Sequence, residues 1–363
     1  MACICVPEAE RFLFQRLVIP GGERFGAFVS FFDSSPHLHR HITGVMLRRW
    51  SSADADSDRQ DTVARLLDTI TAAHEGLEDL FIDDTNFPES RVHDINFPPR
   101  VFRRLRVRRS VYRDSDIVTL LACSLSLEDV NIGSPDCRCL SYSNNRECTF
   151  YSPNLQTFTY SAEGSRRKLI NSFLFKAYMN IALKHIKNLH IRYDEECEMN
   201  VCRLLVSVRI SVQTLLLVSA YGPGRPMTPS LMDFSQLRRL GVTVAEECLH
   251  LISNWIRYSS SNTLLELQLS IGTRLPVNGW DRWSHLDSTF TLSKCTRLKH
   301  LNLRFLPRIP AFDVQRRHFN AYSNQLEHYM PYSKRNIQVK TAMISRTTGG
   351  LQREDLFNTY MSF

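Results

Sequence analysis

The chain has 363 residues, with 45 Lys and Arg against 37 Asp and Glu, for a net charge of +8. No apolar run approaches the roughly 18 residues of a membrane span, and Met1 to Glu10 lacks the apolar stretch of a secretory signal, so neither membrane insertion nor export is expected. The ten cysteines form no paired framework and read as reduced thiols, the pattern of an intracellular protein, cytoplasmic or nuclear.

After a leader of residues 1–10, the chain opens on an apolar triple, Phe14-Leu17-Ile19, spaced apolar-x-x-apolar-x-apolar as in a short strand bracketed by turns. Gly21-Gly22 turn the chain into a helix with the face Phe25, Phe28, Val29 and Phe32, which stops near Pro36. The triple returns as Ile42-Val45-Leu47. Ser51 to Asp58, acidic and serine-rich, reads as a solvated surface loop. Val63, Leu66, Leu67 and Ile70 then repeat the helical spacing before the next triple, Leu77-Leu80-Ile82.

The alternation continues. Further triples are Phe102-Leu105-Val107, Leu127-Val130-Ile132, Leu155-Phe158-Tyr160, Ile186-Leu189-Ile191, Val212-Leu215-Leu217, Leu237-Leu240-Val242, Leu264-Leu267-Leu269 and Leu298-Leu301-Leu303. Helical faces recur at Ile170, Phe173, Leu174 and Ala177, at Val201, Leu204, Leu205 and Val208, and at Val244, Cys248, Leu251, Ile252 and Trp255. Residues 134–154 and Tyr221 to Pro226 are turn-rich and expected to loop out at the rim. Past Leu303 the register is lost; Phe319, Tyr322, Leu326 and Tyr329 predict a closing helix, and the chain from about Arg346 is polar.

Eleven triples, stepping by 25 to 35 residues, mark an array of supersecondary units rather than a doubly wound domain. The expected class is α/β: an irregular leucine-rich-repeat solenoid over residues 11–310, with a parallel sheet on the concave face and helices on the convex one. Residues 311–345 would form a helical cap and 346–363 a polar tail.

The stretches RFLFQRLVI, FFDSSPHL and HITGVMLRR, followed by GLEDLFI, NLQTFTY, IKNLHI and RLKHLNLRF, resemble the repeat region of fungal F-box/leucine-rich-repeat proteins. The resemblance implies a substrate-recognition part of a Skp1-cullin-F-box ubiquitin ligase. Too few residues precede Phe12 for the three-helix F-box, so Skp1 is not expected to bind this chain alone. The Asn that often follows the triple in regular repeats is mostly missing, which predicts an irregular array.

Chemistry is sparse. His37, His39 and His41 alternate but have no carboxylate at ligand spacing, and Cys137, Cys139 and Cys148 lack the Cys-x2-Cys pairs of a zinc site. No phosphate-binding glycine loop, metalloprotease motif or nucleophile elbow occurs, so no enzyme activity, cofactor or metal is expected. The strongest local signal is Arg100 to Arg109. With Leu105 and Val107 buried, Arg104, Arg106 and Arg108 share the opposite, concave face, flanked by Asp79, Phe81 and Asp83 on one neighbouring strand and Asp129 and Asn131 on the other. Arg and Asp on adjacent strands can simply pair with each other. Alternatively, the guanidinium groups bind an anionic partner.

Arg48, His190 and Arg192 join the expected partner-binding set, and Met46, Leu216, Val218, Arg239, His300 and Arg304 fall on the same face. The mixture suits a protein partner. Nucleic acid would favour a continuous basic track with stacking aromatics, so a polyanion binder (nucleic acid or phosphoinositide) working through the strand around Arg104 is the alternative.

Overall fold

The computed structural model describes residues 14–73, 77–95, 97, 102–112, 114–122, 126–133, 154–161, 183–193, 198–219, 234–258, 263–273, 280–292, 297–307, 324–326 and 328–343. The chain divides into two compact units, Met1–Ile186 and Lys187–Phe363, inside the stretch expected to be one array. The first unit holds β1 (Arg16–Pro20), β2 (Gly44–Arg48), β3 (Asp79–Asp83), β4 (Arg104–Arg108), β5 (Asp129–Gly133) and β6 (Thr157–Ser161). The second holds β7 (Asn188–Tyr193), β8 (Thr214–Ser219), β9 (Arg239–Ala245), β10 (Glu266–Thr273), β11 (His300–Pro307) and β12 (Gln338–Met343). Within each unit every strand pairs in parallel with the next in chain order. The fold is α/β, with parallel strands, intervening helices and a leucine-rich-repeat-like, solenoid-type arrangement.

The register follows the apolar triples. Leu17, Val45, Leu80, Leu105, Val130 and Phe158 stand side by side in the first unit, and Leu189, Leu215, Leu240, Leu267 and Leu301 in the second. All are buried. Burying each such side chain is worth about 1.5–3 kcal/mol, and a one-residue slip would carry Arg104 and Arg106 into the core in place of Leu105 and Val107. The backbone locks the same register. The carbonyls of Gln15, Thr43, Glu78, Arg103 and Glu128 each accept two amides at the start of the next strand, as Glu78 does from Arg103 and Arg104.

Helices fill the connections. Arg24–Asp33 buries Phe25 and Phe32, and Ser57–Ala73 buries Val63, Leu66, Leu67 and Ile70, as their spacing predicts. Glu198–Val208 turns Val201, Leu204, Leu205 and Val208 inward. Leu249–Tyr258 packs against Trp280–Leu292, where Trp283 donates its indole N–H to buried Glu246 at 2.9 Å. The helical face expected at Ile170 to Ala177, the loops at 134–153 and 221–226, and the tail from Arg346 lie outside the described residues.

Several expectations need correction. Ser51 to Asp58 is not a purely solvated loop. Ser52–Asp54 is a 3-10 turn, and Asp54, wholly buried, accepts the Gly22 amide at 2.7 Å, the Ser51 amide at 2.9 Å and the Arg59 guanidinium at 2.6 Å. Satisfying those donors offsets the cost of burying the carboxylate. Val244 belongs to β9 and Cys248 to a 3-10 turn, so the helix starts only at Leu249, because β9 runs longer than its triple. His37, His39 and His41 lie in the 3-10 turn Pro36–His41 rather than on a strand, with His39 stacked on Phe32 at 3.9 Å. Past Leu303 the chain does more than cap helically. The helix Pro331–Asn336, whose Tyr332 and Ser333 amides are accepted by buried Asp287, leads into β12, a twelfth strand.

Candidate functional site

Alternation along β2 to β5 delivers one row of side chains per strand position on the face turned away from the buried triples. In the first row the order is Arg16, Gly44, Asp79, Arg104, Asp129 and Thr157; in the second, Val18, Met46, Phe81, Arg106, Asn131 and Thr159. The third contains Arg48, Asp83 and Arg108 side by side. The three strand arginines and their acidic flanks are therefore brought together; the arginines, Asp79 and Asp129 are partly exposed and Asp83 is buried.

Their charges are interleaved. Asp79 lies 2.6 Å from Arg104 Nε and 3.7 Å from Arg16, the closer contact being an ion pair without hydrogen-bond alignment. Arg104 also reaches Glu78 at 2.9 Å. Asp83 is the better-held acid: Arg109 forks onto it with Nε at 3.0 Å and a terminal nitrogen at 2.5 Å, and Arg48 stands at 3.7 Å. Two parallel N–H···O contacts make such a pair rigid as well as strong. Arg106 sits in register with Phe81 and Asn131, and among the described residues it forms no ion pair within 4.0 Å. Burial raises the Asp129 pKa above the usual carboxylate value, with Arg106 and Arg104 pulling the other way.

In the second unit the same face is different. Arg192 is only 7% exposed, and Leu216, Val218, Thr243, Gln268 and Ser270 are buried too. His190, next to Leu216 in register, is held neutral, with its pKa lowered to about 4 by burial. Arg192 and His190 therefore do not offer an accessible charge to a partner, in contrast to their expected role. Arg239 pairs with Glu266 at 3.4 Å.

Sequence reasoning missed a cleft of about 360 Å3 beyond the C-terminal ends of β2 to β4, lined in part by Arg49, Trp50, Asp84, Asn86 and Arg109. Arg49, Asp84 and Arg109 directly follow their strands and all adopt left-handed backbone, with φ of 59°, 54° and 48°. The signal was present: Arg48-Arg49, Asp83-Asp84 and Arg108-Arg109 occupy equivalent repeat positions, opposite in sign from strand to strand. Among the described residues, no group of three or more His, Cys, Asp or Glu side chains is placed to hold a metal ion, and no helix is long and apolar enough to cross a membrane.

No family model matches the chain, and no curated protein does. Among solved structures, it is similar to a crystal structure of a Bacteroides fragilis protein, at 13% identity over 84% of this chain and 66% of that one, with a TM-score of 0.34. The chain thus spans just under two thirds of that protein's length.

Proposed function

We propose that the protein is an interaction module that binds a protein partner across the face of β2 to β5, with Arg104, Arg106 and Arg108 at its electrostatic centre and Asp79, Phe81, Asp83 and Arg48 around them. The observation that carries this reading is the interleaving of part-exposed guanidinium groups with more deeply held carboxylates on that face. The Arg104–Glu78 pair is exposed and worth about 0–1 kcal/mol, so an acidic partner segment displaces it at little cost. The interleaved acids favour a protein with its own mixed charges over a polyanion, which Asp79, Asp83 and Asp129 would repel. No catalytic constellation enters the reading.

The test is affinity capture with the tagged protein and its Arg104→Ser/Arg106→Ser/Arg108→Ser variant. Partners recovered with the first and lost with the second support the reading; an identical set with both contradicts it. The resemblance of the repeats to F-box/leucine-rich-repeat proteins suggests a more specific form, in which the protein selects substrates for a ubiquitin ligase. Turnover of a captured partner would then depend on this protein and on ubiquitin conjugation, and turnover unaffected by removing the protein would refute that form.

A further inference from the structure

We infer that the cleft beyond β2 to β4 is a carboxylate subsite, which takes an acidic side chain of the partner segment through Arg49; this rests on the reading of the adjoining face as a partner surface. Three observations converge. First, a left-handed backbone favours glycine, and asparagine or aspartate tolerate it better than other residues. Two of the three left-handed residues here are nevertheless arginines, Arg49 and Arg109. Local backbone preference therefore does not account for them; Arg91, which does not line the cleft, is left-handed as well, so it is the ion pairs of Arg49 and Arg109 that tie these two to the cleft.

Second, the two guanidinium groups are held differently. Arg109 is forked onto the nearly buried Asp83, which fixes its plane at the cleft wall. Arg49 pairs at 3.3 Å with Asp84, and both side chains are open to water, at 71% and 51% exposure. A solvated pair of that kind is weak and exchangeable. Third, the cleft has room for a side chain, about 360 Å3, with Asn86 on its wall. Asp84 thus occupies the place of the ligand: an incoming carboxylate takes over the Arg49 fork from it, and carboxylate is the planar oxyanion that guanidinium binds bidentately.

The competing account is that Arg49 and Asp84 merely keep the rim soluble. Titration of the full-length protein with an acetylated hexapeptide of alternating Glu and Lys at low salt separates the two. We expect Asp84→Asn, which keeps a residue tolerant of left-handed backbone, to bind the peptide more tightly by freeing Arg49. We expect Arg49→Gly to bind it about three- to fivefold more weakly, the scale of one exposed ion pair, while melting no lower than the parent, because glycine relieves the backbone. The Arg104→Ser/Arg106→Ser/Arg108→Ser variant serves as the control for the face. If that variant loses affinity and the two cleft variants do not, the subsite is wrong and the face reading stands. If the cleft variants shift and the triple variant does not, the subsite stands and the face reading fails. No binding of the peptide to the parent protein overturns the subsite and leaves the face to the partner-capture test.

Discussion

The second-row position of β4 and that of β8 answer to the same place in the repeat, yet one is Arg106 and the other Leu216. Around Arg106 the face is charged and part-exposed; around Leu216, which is 1% exposed, it is largely buried, with His190 half-buried beside it. The units therefore build one architecture with two different surfaces. In the first, the triples and the helical faces are buried and the far face keeps part-exposed charged side chains. In the second, Leu216, Val218, Thr243, Gln268 and Ser270 bury much of that face too, and the exposed charge lies toward its edge, as in the Arg239–Glu266 pair. A repeat unit specifies where a side chain points, whereas the environment it meets is set by the rest of the chain.

The buried side is the more sensitive of the two. Leu216→Ala should cost about 2–5 kcal/mol in denaturant unfolding, as for other fully buried leucines. Arg106→Ser, at the corresponding position, should stay within about 0.5 kcal/mol. Equal effects at the two positions would erase the distinction.

The next effect is in pH. The folded pKa of His190 is lowered from 6.5 to about 4 by burial. Its contribution to stability is full above pH 6.5 and is lost as pH falls towards 4, because the unfolded chain takes up the proton first. The loss is about 3 kcal/mol at most, from the size of the shift. Replacing His190 by Gln should flatten the stability–pH profile across that window, and an unchanged profile would show that His190 is solvated.

A smaller effect of opposite sign is expected in the first unit. Burial raises the Asp129 pKa in the fold, so this carboxyl favours folding when protonated and loses that contribution as pH rises through its folded pKa. Asp129→Asn should raise the melting temperature at neutral pH and lose its advantage in acid. A lower melting temperature at neutral pH would mean that Arg104 and Arg106 more than compensate the buried charge.

Much of this architecture was legible in the chain. Eleven apolar triples gave eleven strands, because each needs only local alternation and a buried row to join. The twelfth was hidden, since the register sets Val339 against Leu301 but Thr341 against Leu303, leaving little apolar signal in β12. Asp54 read as solvated because its burial depends on Gly22, thirty-two residues earlier in the chain, which donates an amide to it. Arg104, Arg106 and Arg108 were placed on one face correctly by alternation. Arg109 was not, because its bond to Asp83 depends on a left-handed residue that carries no glycine to announce it. The burial of Arg192 is likewise nonlocal: alternation assigns a face without saying what surrounds it.

The most direct test of the partner surface is the salt dependence of affinity for a captured partner, measured with the parent protein and with the Arg104→Ser/Arg106→Ser/Arg108→Ser variant. Screening weakens exposed charge contacts, so the parent's affinity should fall steeply with ionic strength. The variant should fold normally, bind more weakly at low salt, and show a shallower slope. A variant with the parent's affinity and the parent's slope would show that the arginines of β4 only pair with their own sheet.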